Sequence, residues 1–112
     1  MDCLFCKIAK KEIPSSVVAE TDNLLAFRDI EPQAPVHILI IPKKHISSTK
    51  ELSKLNVEIL GEMALLASEI CKQENIEDGN RWIINTGAEG GQTVFHIHLH
   101  ILGGRTMQWP PG

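Results

Sequence analysis

Prolines in the first third of the chain limit what it can fold into. They are Pro14, Pro32, Pro35 and Pro42. Each cuts off a helix, because proline lacks a backbone N–H and biases the preceding residue toward extended geometry. The β-prone runs between the turn residues cover 16–20, 24–29 and 36–41. Their short connections predict three strands of an antiparallel meander.

The middle of the chain has the period of a helix. Apolar residues recur on one face, and charged residues take the opposite face. The apolar set is Ile59, Leu60, Met63, Leu66, Ala67, Ile70 and Cys71. Asn56 is the expected N-cap and Gly79 the expected stop of a helix that covers one face of the sheet. Two further strands are predicted after it, over 81–85 and 95–102.

Composition limits the class of protein. A length of 112 residues with 43% hydrophobic residues fits one domain, with no room for a second. No apolar run approaches the ~20 residues that span a bilayer, and the start lacks a signal-like apolar segment. We therefore expect a cytoplasmic protein with no membrane partner. A formal net charge of -3 argues against long nucleic acid as a partner, whereas a single nucleotide needs few contacts.

Three of the five histidines, His96, His98 and His100, lie at alternate positions of one run. In a strand they share one face, so we expect the intervening apolar residues to pack under the helix and the imidazoles to face outward. The outer pair lies ~13 Å apart along a regular strand, too far for one ion to bind all three. The spacing favours nucleophilic catalysis, in which one imidazole attacks phosphorus and a neighbour supplies a proton.

The loop before this strand has the composition of an anion site. Gly90 and Gly91 allow backbone N–H groups to converge on a phosphate. The hydroxyl of Thr93 and the amide of Gln92 are placed to join them. We therefore expect a phosphate to sit beside the histidine strand.

Residues 90–104 resemble the signature of the histidine-triad superfamily. The segments 29–35, 41–45 and 109–112 make the chain similar to the nucleotide-binding phosphoramidase branch of that superfamily. The resemblance implies an α+β fold: a five-stranded antiparallel sheet with one long helix and a short N-terminal helix, in a homodimer that joins two sheets. It also implies a single domain over 1–112, in which 105–112 is a C-terminal tail that contacts the partner subunit.

The activity implied by the resemblance is that of a purine-nucleoside phosphoramidase, which cleaves the P–N bond between a nucleoside monophosphate and an amine. His98 would attack the α-phosphorus and form a nucleotidyl-histidine intermediate that water hydrolyses. His100 would serve the leaving amine, a task that suits an imidazole with a pKa near neutrality, and His37 would stand behind them. A dinucleoside polyphosphate hydrolase and a non-catalytic nucleotide-binding module remain alternatives.

The resemblance also implies the nucleotide contacts. Asp29 would hold the ribose hydroxyls. The phosphate contacts would come from Asn85, Gly91, Gln92 and Thr93. The apolar pocket around the base would come from Phe5, Ile8, Phe27 and Ile30. Trp109, in the tail, would reach the neighbouring active site and influence substrate choice.

Cys3 and Cys6 have the spacing of a metal knuckle, and cytosolic thiols are kept reduced. The resemblance implies that His45 and His96 complete a structural zinc site with them, one that the chemistry does not require. His96 would then serve zinc while its two neighbours in the triad serve phosphate. The alternative is a free pair of buried cysteines, with His96 hydrogen-bonded into the catalytic network.

Overall fold

The computed structural model describes residues 3–112, which form two α-helices and one five-stranded sheet. The helices are α1 (Leu4–Ala9) and α2 (Glu58–Gln73), and a 3-10 turn covers Thr49–Glu51. The strands are β1 (Val17–Glu20), β2 (Leu24–Arg28), β3 (Val36–Pro42), β4 (Asn80–Ile83) and β5 (Leu99–Gly103). Neighbouring strands are antiparallel in the order β1-β2-β3-β5-β4. The predicted α+β class, with one long and one short helix, is confirmed.

Each face of the sheet is covered by its own helix. On one face α2 buries the apolar side predicted for it, including Met63 and Ile70. On the other face α1 packs Phe5 and Ile8 against residues of β2 and β3. Because apolar residues alternate with the histidines near β5, one side of that strand faces α2 and the histidine side faces α1.

The expectation that the three imidazoles face outward is wrong. His96 is 0% exposed and His98 is 5% exposed. The reason is α1, whose Phe5 ring lies edge-on to both imidazoles and covers that face of the sheet. The histidine side is therefore a second buried layer, with its own hydrogen-bond requirements.

The last strand is shorter than predicted, because β5 begins at Leu99 and leaves His96 and His98 in the segment that leads into it. Leu99 pairs with Ile40 of β3, so a longer ladder would bring residue 97 opposite Pro42. Proline has no N–H to donate, and the Pro42 carbonyl already accepts from His96 Nε2 at 2.7 Å. Likewise β4 ends at Ile83 rather than at residue 85.

Both predicted caps of α2 are wrong. The N-cap is Val57, since the Asn56 side chain accepts from Ser53 N–H and donates to the Glu51 carbonyl. The C-terminal reversal comes at Asn75, with φ of 60°, rather than at Gly79. Nearby carbonyls of α2 are satisfied by the N–H groups of Asn75 and of the residue after it, as in a Schellman motif.

Among the described residues, no helix is both long enough and apolar enough to cross a bilayer.

Candidate active site and metal centre

The β3–β5 register brings two distant histidines together. Leu39 lies opposite His100, so His37, two residues earlier on the same face, is diagonal to His100. Their facing nitrogens, His37 Nε2 and His100 Nδ1, are 2.9 Å apart. The predicted position of His37 behind the triad matches this placement.

Backbone contacts assign the protons on these two rings. The N–H of Gln33 donates to His37 Nδ1 at 3.0 Å, so a neutral His37 carries its proton on Nε2. That proton is donated to His100 Nδ1. His100 therefore carries its own proton on Nε2, a buried atom that finds no hydrogen-bond partner within residues 3–112. An unpartnered buried N–H is costly, and it is the group that a substrate atom would satisfy.

The same reasoning fixes His98. Its Nδ1 lies 2.7 Å from the carbonyl of His96 and must donate to it. The other nitrogen, Nε2, is then left with a free lone pair, which is the form that a nucleophilic imidazole needs.

Burial keeps these rings neutral. It lowers the pKa of His37 and of His98, although Asp29 opposes the change in both cases. Burial, reinforced by His98 and His37, lowers the pKa of His100 to about 4. A pKa near neutrality was expected for His100, so the expectation is wrong for the protein without a bound nucleotide. The 3.4 Å contact between His37 Nε2 and Asp29 Oδ2 is accordingly not an ion pair at neutral pH.

Asp29, His37 and His100 bring ligand atoms within 4.8 Å of one another, as a metal site would. The hydrogen bonds argue against an ion there. His37 Nδ1 accepts from Gln33, and Nε2 carries the proton, so no lone pair of His37 is free. The group is better described as a hydrogen-bond relay.

A cavity of about 640 Å³ lies over these rings, a size within the range of small-molecule sites. The three catalytic residues predicted from the sequence line it. Most of the predicted nucleotide-binding residues line it too, namely Phe5, Ile8, Phe27, Asp29, Ile30, Gly91 and Thr93. The buried rings of Phe5 and Phe27 meet edge-on, whereas Ile30 is 95% exposed at the cavity margin.

Three predicted nucleotide-binding residues do not line this cavity. The side chain of Asn85 lies beside Gly91, 3.9 Å from where a Cβ on that glycine would stand. Trp109 is 82% exposed in the tail. Gln92 is buried, and its amide is used inside the protein: it accepts from Gly87 N–H and donates to the carbonyls of Ser47 and Val94. The structure thus gives the Gln92 side chain the task of holding the glycine loop in place.

The sequence reasoning missed Gln33, whose backbone N–H assigns the tautomer of His37. No side-chain pattern marks such a contact, because any residue other than proline offers the same group. The polar side chains of Ser15, Ser16 and Arg28 on the cavity wall were missed as well. Ser15 and Ser16 precede β1 and Arg28 ends β2, so the three belong to no motif.

The metal centre predicted from the sequence is brought together by the fold. Cys3, Cys6, His45 and His96 offer ligand atoms that all lie within 4.8 Å of one another. His96 Nδ1 lies 3.3 Å from Cys3 Sγ, 3.5 Å from Cys6 Sγ and 3.2 Å from His45 Nδ1. The ring of His96 bonds to none of the catalytic histidines, because its Nε2 donates to the Pro42 carbonyl.

These donors fit a zinc ion in number, type and spacing. Zinc–sulfur bonds of ≈ 2.3 Å and zinc–nitrogen bonds of ≈ 2.0–2.1 Å give a tetrahedron whose edges are roughly 3.3–3.8 Å. The observed separations of 3.2 to 3.5 Å are close to those edges. Donation from Nε2 to a carbonyl also leaves His96 Nδ1 as a lone pair, the tautomer that a metal ligand requires.

Comparisons with known proteins agree with the fold and the motif. A model of the HIT domain family matches residues 10–107. A Zea mays protein named "14 kDa zinc-binding protein" is 54% identical over 111 residues, or 97% of this chain and 87% of that protein. An Arabidopsis thaliana protein named "Adenylylsulfatase HINT1" is 50% identical over 111 residues, or 97% of this chain and 76% of that protein.

Solved structures give the same result. The crystal structure of a HIT family hydrolase from Legionella pneumophila has a TM-score of 0.97 to this chain at 52% identity, and the match covers 99% of this chain and 100% of that one. On the strength of the family match, these identities and the histidine run itself, the chain belongs to the HIT domain family, the histidine-triad superfamily that residues 90–104 resemble.

Proposed function

We propose that this protein is a nucleotide hydrolase that cleaves the P–N bond of purine nucleoside 5′-phosphoramidates. The observation that carries the proposal is the tautomer of His98. Its Nδ1 donates to the His96 carbonyl at 2.7 Å, and its ring lines the cavity. A neutral imidazole with Nε2 unprotonated is ready to attack phosphorus without first losing a proton.

In the first step, the lone pair of His98 Nε2 forms a bond to the α-phosphorus as the bond from phosphorus to the amine nitrogen breaks. The negative phosphate of the bound substrate would favour the protonated form of His100, and the departing nitrogen takes the Nε2 proton of this imidazolium and leaves as the free amine, while the His100 ring becomes neutral. An amine leaves poorly without a proton, so this transfer lowers the barrier. His37 would hold the His100 ring in position for the transfer, because its Nε2 lies 2.9 Å from His100 Nδ1.

In the second step, water attacks the nucleotidyl-histidine. His100 Nε2 takes a proton from the water as the bond from phosphorus to His98 breaks. The products are the nucleoside monophosphate and the original state of both histidines. The same nitrogen therefore acts first as an acid and then as a base.

The cavity has suitable groups for each part of a nucleotide. Phe5 and Phe27 offer apolar ring surfaces for a purine. Asp29 would accept hydrogen bonds from the ribose hydroxyls. The N–H of Glu31 donates to Asp29 Oδ1 at 2.8 Å and so holds the carboxylate in place. The backbone at Gly91, with φ of 86°, and the hydroxyl of Thr93 would contact the phosphate.

We also propose that Cys3, Cys6, His45 and His96 hold a zinc ion. With all four ligands supplied by the protein, zinc would act as a structural cross-link, without an open position for water or substrate. The cross-link would join α1 to the segment that carries His98. The zinc-binding name of the Zea mays relative supports the proposal.

A second candidate reaction follows from the Arabidopsis thaliana relative named an adenylylsulfatase. Sulfate is a good leaving group, which needs no proton from the enzyme. The same nucleophile and phosphate site would serve this reaction, but the proton of His100 would not be needed in its first step. The two activities therefore make different demands on one residue.

A turnover assay with adenosine 5′-phosphoramidate tests the proposal, run on the wild type beside His98→Ala. We expect loss of turnover in the variant together with retained binding of AMP. Equal rates in the two proteins would refute the assigned nucleophile. Binding without turnover in the wild type would instead favour the non-catalytic module, and faster turnover of a dinucleoside polyphosphate would favour that hydrolase class.

A further inference from the structure

One short helix connects the metal centre to the nucleophile. Cys3 is the N-cap of α1 and Cys6 lies within α1, so both thiols hold the helix at the centre. Between them, Phe5 lies edge-on to His98, with ring centroids 5.0 Å apart and planes at 89°. His96 belongs to both sites, because Nδ1 faces the cysteines and its carbonyl accepts from His98.

The two thiols are also placed to react with each other. Both Sγ atoms lie within 3.5 Å of the same His96 nitrogen, and the spacing of two residues between cysteines is that of dithiol redox motifs. Cys3 is 8% exposed, whereas Cys6 is only half-buried, so an oxidant reaches Cys6 more easily. Cys71 lies on the buried face of α2, on the opposite side of the sheet, and serves as an internal reference thiol.

We propose that Cys3 and Cys6 are a redox modification site that controls the nucleophile, with a peroxide as the oxidant. Cys6 Sγ attacks one peroxide oxygen, the O–O bond breaks, and Cys6 becomes a sulfenic acid as the first water leaves. Cys3 Sγ then attacks the Cys6 sulfur. The S–S bond forms, the S–O bond breaks and a second water leaves, so the thiols lose two electrons and the peroxide gains two.

The disulfide would change the metal centre and the active site together. Disulfide sulfurs carry no negative charge, so only His45 and His96 would remain as ligands, and zinc would be released. Without that link, α1 would no longer be held at His96, and Phe5 would lose its fixed place against His98. The expected loss of turnover rests on the proposed function, whereas the disulfide and the release of zinc do not.

The test begins with the zinc-loaded, reduced full chain. Hydrogen peroxide is added in steps while a chromophoric chelator reports free zinc, and alkylation of the unfolded chain followed by mass spectrometry counts the free cysteines. We expect release of zinc in step with protection of Cys3 and Cys6, while Cys71 stays alkylatable. A thiol reductant with added zinc should restore the starting state. Cys71→Ala is the matched control and should behave like the wild type, whereas Cys6→Ser should form no internal disulfide.

Coupling to the active site has its own readouts. Ring-nitrogen NMR should show His98 in a single tautomer before oxidation and a changed signal after it. Turnover of the phosphoramidate should fall by about tenfold or more, the loss typical when a group that orients a catalytic residue is removed. A wild type without turnover at any stage would refute the proposed function, and the zinc, alkylation and NMR results would still decide this inference.

Several outcomes would overturn the inference. Reduced protein that takes up no zinc would contradict it at the first step. Retention of zinc with all three cysteines alkylatable after peroxide would refute the modification, as would oxidation that the reductant cannot reverse. An unchanged His98 signal after release of zinc would refute the coupling to the nucleophile.

Discussion

Proton positions on three imidazoles determine what the cavity can do. Two are assigned by a backbone group, the Gln33 N–H for His37 and the His96 carbonyl for His98, and the third, on His100, is assigned by the side chain of His37. The backbone cannot easily be changed by mutation of a side chain. The arrangement is therefore set by the fold itself, before any substrate binds.

Substitution of His100 by glutamine should separate the two candidate reactions. Glutamine retains hydrogen-bonding groups near the site but cannot give up a proton. For an adenosine phosphoramidate, the single-turnover rate of AMP transfer to His98 in His100→Gln should fall by about 10²-fold or more, the usual contribution of a general acid. For adenylyl sulfate the rate of this first step should fall by less than about tenfold, because sulfate leaves unprotonated. Equal losses for both substrates in this first step would contradict the role given to His100 as an acid, whereas the later water step is common to both.

The pKa of His100 gives a prediction about pH. With a pKa of about 4, against an ordinary 6.5, the folded protein resists protonation of this ring. The unfolded chain binds that proton more readily, so the free energy of unfolding should fall as the pH is lowered from about 6.5 to about 4. The thermal midpoint of the wild type should drop more between pH 7 and pH 5 than that of His100→Gln. Both proteins keep the four residues of the proposed zinc site, so any acid sensitivity of that site cancels in the comparison.

An NMR titration of the histidine rings measures the pKa of His100 directly. We expect the His100 ring to titrate near pH 4 in the free protein. Bound AMP should raise this pKa, because the negative phosphate favours the charged imidazole. A ring that titrates near 6.5 in the free protein would contradict the burial described for it.

At the scale of elements, the C-terminus of α2 offers a matched pair of substitutions. Asn75 has φ of 60°, which an alanine adopts only with strain. Asn75→Ala should therefore lower the free energy of unfolding by about 1 kcal/mol. Gly79 has open space around it and no such backbone angle, so Gly79→Ala should change stability by less than about 0.5 kcal/mol. Denaturant unfolding measures both, and the opposite ranking would refute this account of the helix end.

The elements that sequence reasoning predicted well have strong local signals. The prolines and β-prone runs placed β1, β2 and β3, and the apolar period placed the buried face of α2. The element ends were wrong where a distant group decides them. The Asn56 side chain hydrogen-bonds to the backbone of Ser53 and Glu51 and so cannot cap α2. Pro42 of β3 prevents β5 from beginning earlier.

In the candidate site, too, the features with a local signal were predicted and those decided by distant groups were missed. Alternation along 96–100 predicted that the three histidines share a face, and this holds through the lead-in to β5. Burial of that face was missed, because it depends on how α1 docks. The contact between His37 and His100 depends on the β3–β5 register, which no local pattern in the sequence specifies.

At the scale of the whole molecule, one sheet edge indicates how a second subunit would bind. β4 ends the sheet, with Trp82 41% exposed on it and Leu65 of α2 71% exposed. Arg81 Nη2 donates to the Gln108 carbonyl at 2.8 Å, which holds the tail 105–112 beside β4. We propose that two copies join at this edge, where an exposed Trp is a typical interface residue.

Sedimentation velocity tests the proposed dimer. The wild type should sediment as a dimer at micromolar concentration, and Trp82→Glu should shift it toward the monomer. Leu55→Glu is the control, because Leu55 is 98% exposed and lies away from β4, near Lys44. A monomeric wild type, or equal dissociation in both variants, would contradict an interface at β4.

The proposed mechanism requires that His98 Nε2 form a covalent bond to the nucleotide. Rapid quench of the wild type with an adenosine phosphoramidate, followed by peptide mapping in mass spectrometry, detects this bond. We expect an AMP adduct on His98, formed within the first turnover and absent from His98→Ala. An adduct on another residue, or turnover through a wild type that never carries one, would contradict it.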